Sequence, residues 1–165
     1  MHTTKMTILE GLKRIKHLGR KIDQVNERIK KWCSHYSNVD PLYTDMRALV
    51  QSVVDMSKEQ TIVQHRIHLT NANTIIEYKG TTLSIDELLA VRTRVLPAER
   101  LALVAMRRKE PPYRPNKDDE KITVITNYDP KKRDQRLEEI EFALEEIDNL
   151  LDRLNMVTLL LPIER

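Results

Sequence analysis

Apolar residues recur every seven positions near the start of the chain. Ile8, Ile15, Ile22, Ile29 and Tyr36 hold one position, and Leu18, Val25 and Trp32 hold the position three residues later, with Gly11 in the first slot of that second series. β-Branched residues on one seam, with charges elsewhere, predict a coiled coil or a long helical hairpin. A helix of about 30 residues is roughly 45 Å long. The stretch Ser37-Asn38-Val39-Asp40-Pro41 stops it, with Asp40 suited to an N-cap and Pro41 to the first helical position. A second helix then places Leu42, Met46, Leu49, Val53, Met56, Gln60, Val63, Ile67 and Thr70 at alternating 4-3 spacing. The short connection predicts antiparallel neighbours. The seam turns polar late, at Gln60, Thr70 and Asn71. A polar seam residue sets register, or marks where a ligand rather than a partner side chain fills the space.

After Asn73 the period changes to two. Thr74–Tyr78 and Thr81–Leu83 flank Lys79-Gly80 and predict a β-hairpin. Ser84 with Glu87 resembles a capping box opening a third helix, which Pro97 kinks or restarts. Residues 110–121 form a polar, proline-rich loop. Residues 122–126 (Ile-Thr-Val-Ile-Thr) predict a strand that could extend the hairpin to three strands, and Asp129-Pro130 opens a last helix with Leu137, Ile140, Leu144, Ile147, Leu151 and Leu154 in 3-4 spacing. The expectation is one mainly α domain over residues 1–165. It has a coiled-coil hairpin over 1–73, a β-hairpin over 74–83, a helix over 84–109, the loop, a strand and a helix over 130–156.

Composition sharpens this picture. Aromatics make up 4% and charged residues 32%, with three glycines, so long solvated helices are expected rather than a sandwich or barrel. One cysteine, Cys33, excludes an intrachain disulfide and any CxxC metal knuckle; a reducing compartment follows as the expectation, the cytoplasm, or the host cytoplasm if the protein is viral. No apolar run reaches the roughly 20 residues of a membrane span. The net charge of +3 is too small to imply DNA binding, but charge is unevenly placed. Lys5, Lys13, Arg14, Lys16, Arg20, Lys21, Arg28, Lys30 and Lys31 make the first helix basic; Asp134, Glu138, Glu139, Glu141, Glu145, Glu146, Asp148 and Asp152 make the last acidic. The simplest expectation is that these two helices complement each other within the fold, rather than that the basic one forms a ligand groove.

Catalytic patterns are missing: no GxSxG, P-loop, HExxH or glycine-rich dinucleotide turn occurs. Cys33 and His35, two apart on a helix, point roughly 200° apart and cannot act together. His65 and His68 share a face, yet no third ligand lies near them in sequence. Neither an enzyme, a metal site nor a cofactor is expected. The polar residues that gather where elements end are the better candidates: Arg66, Asn71 and Asn73 close the second helix, Arg92 and Arg94 lie on the third, and Arg107, Arg108, Lys109, Tyr113 and Arg114 lead into the proline loop. Arginine offers a fork for phosphate or carboxylate, asparagine reads amide-like edges and tyrosine stacks on flat rings. Taken one at a time, each could equally be a solvated surface residue. Together, Arg66, Asn71, Asn73, Arg92, Tyr113 and Arg114 are the expected ligand-binding set.

Several of these residues carry a resemblance. The stretch Arg66-Ile67-His68-Leu69-Thr70-Asn71-Ala72-Asn73-Thr74 resembles an Arg-Ile-Asn-Arg-Thr-Asn stretch of the septicolysin-like proteins of bacteria and phages, with Arg66, Thr70 and Asn71 matching. The run from Leu83-Ser84 to Arg92 resembles that family's hairpin-exit helix, Tyr113 and Arg114 fall in its arginine- and tyrosine-bearing loop, and Asp148 with Asn155 matches a closing Asp-to-Asn pair. The chain departs at Met156, where the family usually has tryptophan, and in its proline loop. The resemblance implies a helical homo-oligomer with polar residues clustered at the helix–hairpin junction. The leading expectation is thus a non-enzymatic oligomer that sequesters a small anionic, nucleotide-like ligand, by analogy with phage sponges for cyclic-nucleotide immune signals. The alternative is a structural or adaptor protein whose heptads recruit another helix.

Overall fold

The computed structural model describes residues 5–108, 110 and 124–163. In order these form α1 (Ile8–Trp32), α2 (Met46–Asn73), β1 (Ile75–Tyr78), β2 (Thr81–Ser84), α3 (Ile85–Ala90), a π-helical turn (Val91–Val95), α4 (Leu96–Ala105) and α5 (Pro130–Val157). The mainly α class with a small β-hairpin is therefore borne out. Two compact units divide the chain, Met1–Asp86 with Leu151–Arg165, and Glu87–Leu150.

In the first unit α1 begins with a capping box. Thr7 Oγ1 accepts from the Glu10 N–H at 3.2 Å, and the Thr7 N–H donates to Glu10 Oε2 at 2.8 Å. The helix and α2 run antiparallel, because their pairs climb one helix while descending the other: Arg14 Nη2 meets Glu59 at 2.6 Å, and the Arg28 guanidinium stacks 5.5 Å from the Tyr43 ring centre just ahead of α2. The two seam positions are not equivalent. Gly11, Leu18 and Val25 are buried and Trp32 is half-buried; in the other series Ile8 is buried beside the closing segment, whereas Ile15, Ile22 and Ile29 are half-buried and Tyr36 is 82% exposed beyond the helix end. A two-helix hairpin has one facing line, so along the middle of the helix the series that points at the partner is the better covered. Gln60, the first polar seam residue, reaches across to the Ile15 carbonyl at 3.5 Å.

The second helix starts later than its sequence suggests. Asp45, not Asp40, is its N-cap, with Oδ1 accepting from the Ala48 N–H at 3.0 Å. Both aspartates are competent caps. The difference is that Pro41–Thr44 stays non-helical while Tyr43 sits beneath Arg28.

The unit closes through its own C-terminal segment. The Ile8 N–H donates to the Thr158 carbonyl at 3.0 Å and the Leu160 N–H to the Met6 carbonyl at 2.8 Å, pairing residues 6–8 with 158–160. Leu160 is 5% exposed, and its Cδ1 would lie 3.0 Å from a Cβ built on Gly11, with Ile67 Cδ1 at 3.2 Å. Glycine here makes room for the closing segment. We expect Gly11→Ala to be close to neutral, because better helix propensity (about 1 kcal/mol) offsets slight crowding, while Gly11→Leu should cost about 1–3 kcal/mol by overpacking. Paired urea titrations would check this, and equal midpoints for the two variants would refute it.

The hairpin β1–β2 pairs Ile75 with Ser84 and Tyr78 with Thr81. Its two turn residues, Lys79 (φ 51°) and Gly80 (φ 76°), are both left-handed, as a tight hairpin matching strand twist requires. Among the described residues the sheet has these two strands. The expected third strand is not formed at Val124–Thr126, where Ile125 is 83% exposed; Ile122 and Thr123 lie outside the described residues. Period-two alternation over five residues specifies a strand only when an edge is there to receive it.

Among the described residues of the second unit the buried ones are Leu88, Leu96, Ile140 and Ile147. The expected break at Pro97 takes the form of the π turn. Pro97 has no N–H to give the preceding turn, and the Leu96 N–H bonds five residues back, to the Val91 carbonyl. Asp129 opens α5 as expected, its Oδ1 accepting from the Lys131 N–H at 2.9 Å.

Candidate functional site

The polar end of the α1–α2 seam is occupied by the chain itself. Arg66 donates from Nε to the Leu161 carbonyl at 2.9 Å and from Nη2 to the Leu160 carbonyl at 3.0 Å. Thr70 Oγ1 donates to the Arg66 carbonyl at 2.7 Å and accepts from the Leu161 N–H at 2.9 Å. The space that the polar seam residues mark is thus filled by residues 158–161. Asn73 is turned back on its own helix, its Nδ2 donating to the Leu69 carbonyl at 2.8 Å. With His65, Leu69, Leu161, Pro162 and Ile163 it lines an open groove of about 480 Å³. Asn71 differs. It is 7% exposed, and its Oδ1 has no hydrogen-bond partner. A buried acceptor without a donor costs about 1–3 kcal/mol, so among the described members of the sequence-derived set this atom is the one that lacks a structural occupation.

Arg92 lies in the second unit, on the π turn, and grips Asp148 of α5 with both ends of its fork: Nε pairs with Oδ1, and Nη2 with Oδ2 at 3.2 Å. The resemblance singled out both residues, and the fold joins them. Tyr113, Arg114 and Lys109 lie outside the described residues. Two further pairs stitch α4 to α5: Arg100 with Glu141 at 2.6 Å, and Arg136 with Glu99 at 2.7 Å while it also holds Glu139 at 2.9 Å.

These contacts carry a sign in pH. The Arg92 guanidinium, by hydrogen bonding, holds the Asp148 carboxyl below the usual carboxylate range, and Arg136 does the same to Glu99. A carboxyl whose pKa is depressed by folding stabilises the fold above its unfolded pKa, and that contribution disappears as pH falls through the folded value. Both side chains are more than a third exposed, at 47% and 36%, so solvent screening keeps the effect small. We expect Asp148→Asn to lower the urea midpoint at about pH 7, and the difference from the parent to shrink as pH falls through the depressed folded value of the Asp148 carboxyl. A difference that persists undiminished in acid would contradict this account.

Two acids of α5, Glu141 and Asp148, are thus paired with arginines of α4 and the π turn. The basic face of α1 receives no such service: Lys13, Lys16, Arg20 and Lys21 make no ion pair among the described residues. No group of three His, Cys, Asp or Glu residues converges as a metal site among the described residues. No described helix is long and apolar enough to cross a membrane.

The surface feature that single-residue reasoning missed lies on α2. Val50 (51%), Val54 (39%) and Ile62 (40%) are exposed, on the side away from the buried Val63 and Ile67. Val53, Val54, Ser57, Lys58, Thr61 and Ile62 line an open groove of about 530 Å³. Heptad analysis follows one apolar series per helix and so passes over a second, shorter one on the opposite side.

By fold and surface this is a helical-hairpin protein with a clasped tail and an uncovered apolar strip, showing no catalytic constellation among its described residues. The chain belongs to a family of unknown function, DUF6847, which matches residues 16–160. No curated protein matches it. Among solved structures, a functionally unknown conserved protein from Corynebacterium diphtheriae is similar, with a TM-score of 0.67 and 15% identity over 96% of this chain and 100% of that one. At that identity the likeness speaks for the fold.

Proposed function

We propose that the protein is a cytoplasmic, non-catalytic docking protein that works through the α1–α2 hairpin, receiving a helix on the outer face of α2. The observation that carries this reading is the strip Val50–Val54–Ile62 with its groove, apolar surface left in water on a helix whose opposite side is already buried. Large apolar side chains aligned on one helix face are an association surface more often than scattered ones are. The unpaired, exposed Cys33 agrees with a reducing compartment.

A photo-crosslinking residue placed at Val54, and separately at the exposed Glu138, tests this in the native cell. Protein-sized adducts at position 54 that vanish with Val50→Asp, and none at 138, are expected. Absence of adducts at position 54 would dismiss the docking reading.

A second reading keeps the small anionic, nucleotide-like ligand at the end of α2, in the manner of a sponge. Asn71 favours it, since a buried acceptor without a partner suits a donor-bearing base edge. Melting curves with cyclic dinucleotides and cyclic ADP-ribose variants test it, and no shift with any of them would remove it.

A further inference from the structure

We infer that the outer face of α1 binds a single-stranded nucleic acid, with phosphates laid along a cationic track and bases meeting the aromatic residues at its end. This surface belongs to a different helix from the docking strip on α2. The chain's net charge of +3 conceals a local excess, because α1 alone holds eight cations against three acids. At about 100° per residue, Lys13, Lys16, Arg20, Lys21, Arg28 and Lys31 fall within one arc of about 140°. That arc lies opposite the buried line of Gly11, Leu18 and Val25, and all six side chains are exposed. Lys13 and Lys31 stand about 27 Å apart along the axis, with a cation near every turn but the one holding Gln24. None of the six makes an ion pair among the described residues. Two acids share the arc: Glu10 is turned to the Thr7 N–H at 2.8 Å, and Glu27 lies 4.0 Å from Lys30. Open grooves of about 430 and 490 Å³ mark the two ends of the track, the first lined by Lys5, Lys13 and His17 with their neighbours, the second by Arg28, Lys30 and Lys31 with Glu27.

The choice of partner follows from what the arc lacks. From Lys13 to Lys31 every residue in it is polar or charged. It therefore offers no apolar centre to a protein and no apolar face to a bilayer. The apolar side of α1 is spent inside the fold, at Ile8, Leu18 and Val25. A cationic track without apolar content fits a phosphodiester backbone, whose binding rests on displaced counterions. The aromatic end picks out a single strand. The Arg28 guanidinium lies 5.5 Å from the Tyr43 ring centre and Lys31 Nζ 5.2 Å from that of Trp32, while Tyr36, just past the helix, is 82% exposed. A flat ring beside a phosphate track receives an unpaired base on its face, and a duplex keeps those base faces stacked inside.

The test is fluorescence anisotropy of the full chain with labelled oligouridine and oligothymidine of about 12 nucleotides. Binding with a Kd of about 1–100 μM in about 50 mM salt, weakening steeply as salt rises, is expected. K16E/R20E, at two exposed positions, should weaken binding about tenfold or more and flatten the log–log salt slope by about 1.4. K131E/K132E makes the same change in net charge on α5 and should leave both quantities as in the parent. Y36A should weaken binding about fivefold or more while keeping the salt slope, as loss of a stacking ring does. Circular dichroism confirms that each variant is folded. No binding up to about 100 μM, an equal loss in K131E/K132E, or a Y36A chain that binds like the parent overturns the inference. Tighter binding to a duplex of the same length, to phosphatidylserine vesicles or to polyglutamate overturns it as well.

Discussion

Leu18→Ala is expected to destabilise the first unit by about 2–5 kcal/mol, and Ile22→Ala, one seam over, by only about 1 kcal/mol. Both residues belong to the same heptad pattern, and sequence alone ranks them together. The structure separates them: Leu18 is 2% exposed, beneath α2, whereas Ile22 is half-buried. Truncating the first leaves a cavity that neighbouring helices cannot fully collapse into. Truncating the second removes apolar surface that water partly reaches already. Urea unfolding followed by circular dichroism would compare the two. Equal losses would mean that both seams are covered, as in a bundle of more than two helices.

Arg66→Ala should lower stability by about 2–3 kcal/mol and release the C-terminal segment. The arginine is the donor for the Leu160 and Leu161 carbonyls, and Leu160 is buried against the surface that Gly11 leaves open. Losing the donor removes two of the segment's hydrogen bonds and leaves those to Met6, Ile8 and Thr70 to hold it. Thr70→Val should cost about 1–3 kcal/mol by a related route, because the Leu161 N–H would lose its acceptor. Carboxypeptidase digestion reads the release directly, and amide exchange at Leu161 reads it by residue. An unchanged unfolding midpoint for Arg66→Ala would show that the clasp contributes nothing to the fold and that Arg66 is free for a ligand. The variant thus separates a structural arginine from a binding one.

Much of the secondary structure was legible in sequence because it is locally specified. Lys79-Gly80 between two period-two runs marks a hairpin, because Gly80 takes positive φ without steric cost and Lys79 follows it into the left-handed region of the turn. Pro97 announces a break through its missing N–H, and Asp129-Pro130 announces a helix start. Helix starts with two competent caps were less legible: Asp40 and Asp45 differ in what surrounds them, not in their own chemistry. The capping box of Thr7 and Glu10 was present in the sequence as Thr-x-x-Glu, yet the heptad reading ran past it to the seam.

The candidate site was legible as residue types and not as roles. Arg66, Asn73 and Arg92 are binding residues by type, yet each spends its donors inside the fold, on a tail carbonyl, a helix carbonyl and a carboxylate. A sequence shows that an arginine has a fork; it does not show whether another part of the chain arrives to fill it. Arg66 and Leu161 stand 95 residues apart, and Arg92 and Asp148 stand 56 apart.

By itself, then, the sequence determined the period of each element, the two turn residues of the hairpin, and the helical, glycine-poor character of the chain. These follow from backbone preferences and repeat spacing, which act within a few residues. Only the tertiary structure decided which heptad line is buried and which arginines are spent. It also decided that residues 158–161 fill the polar end of the seam and that a second apolar row on α2 remains in water. Those outcomes depend on which distant segments meet, and burial is a property of the meeting rather than of the residue.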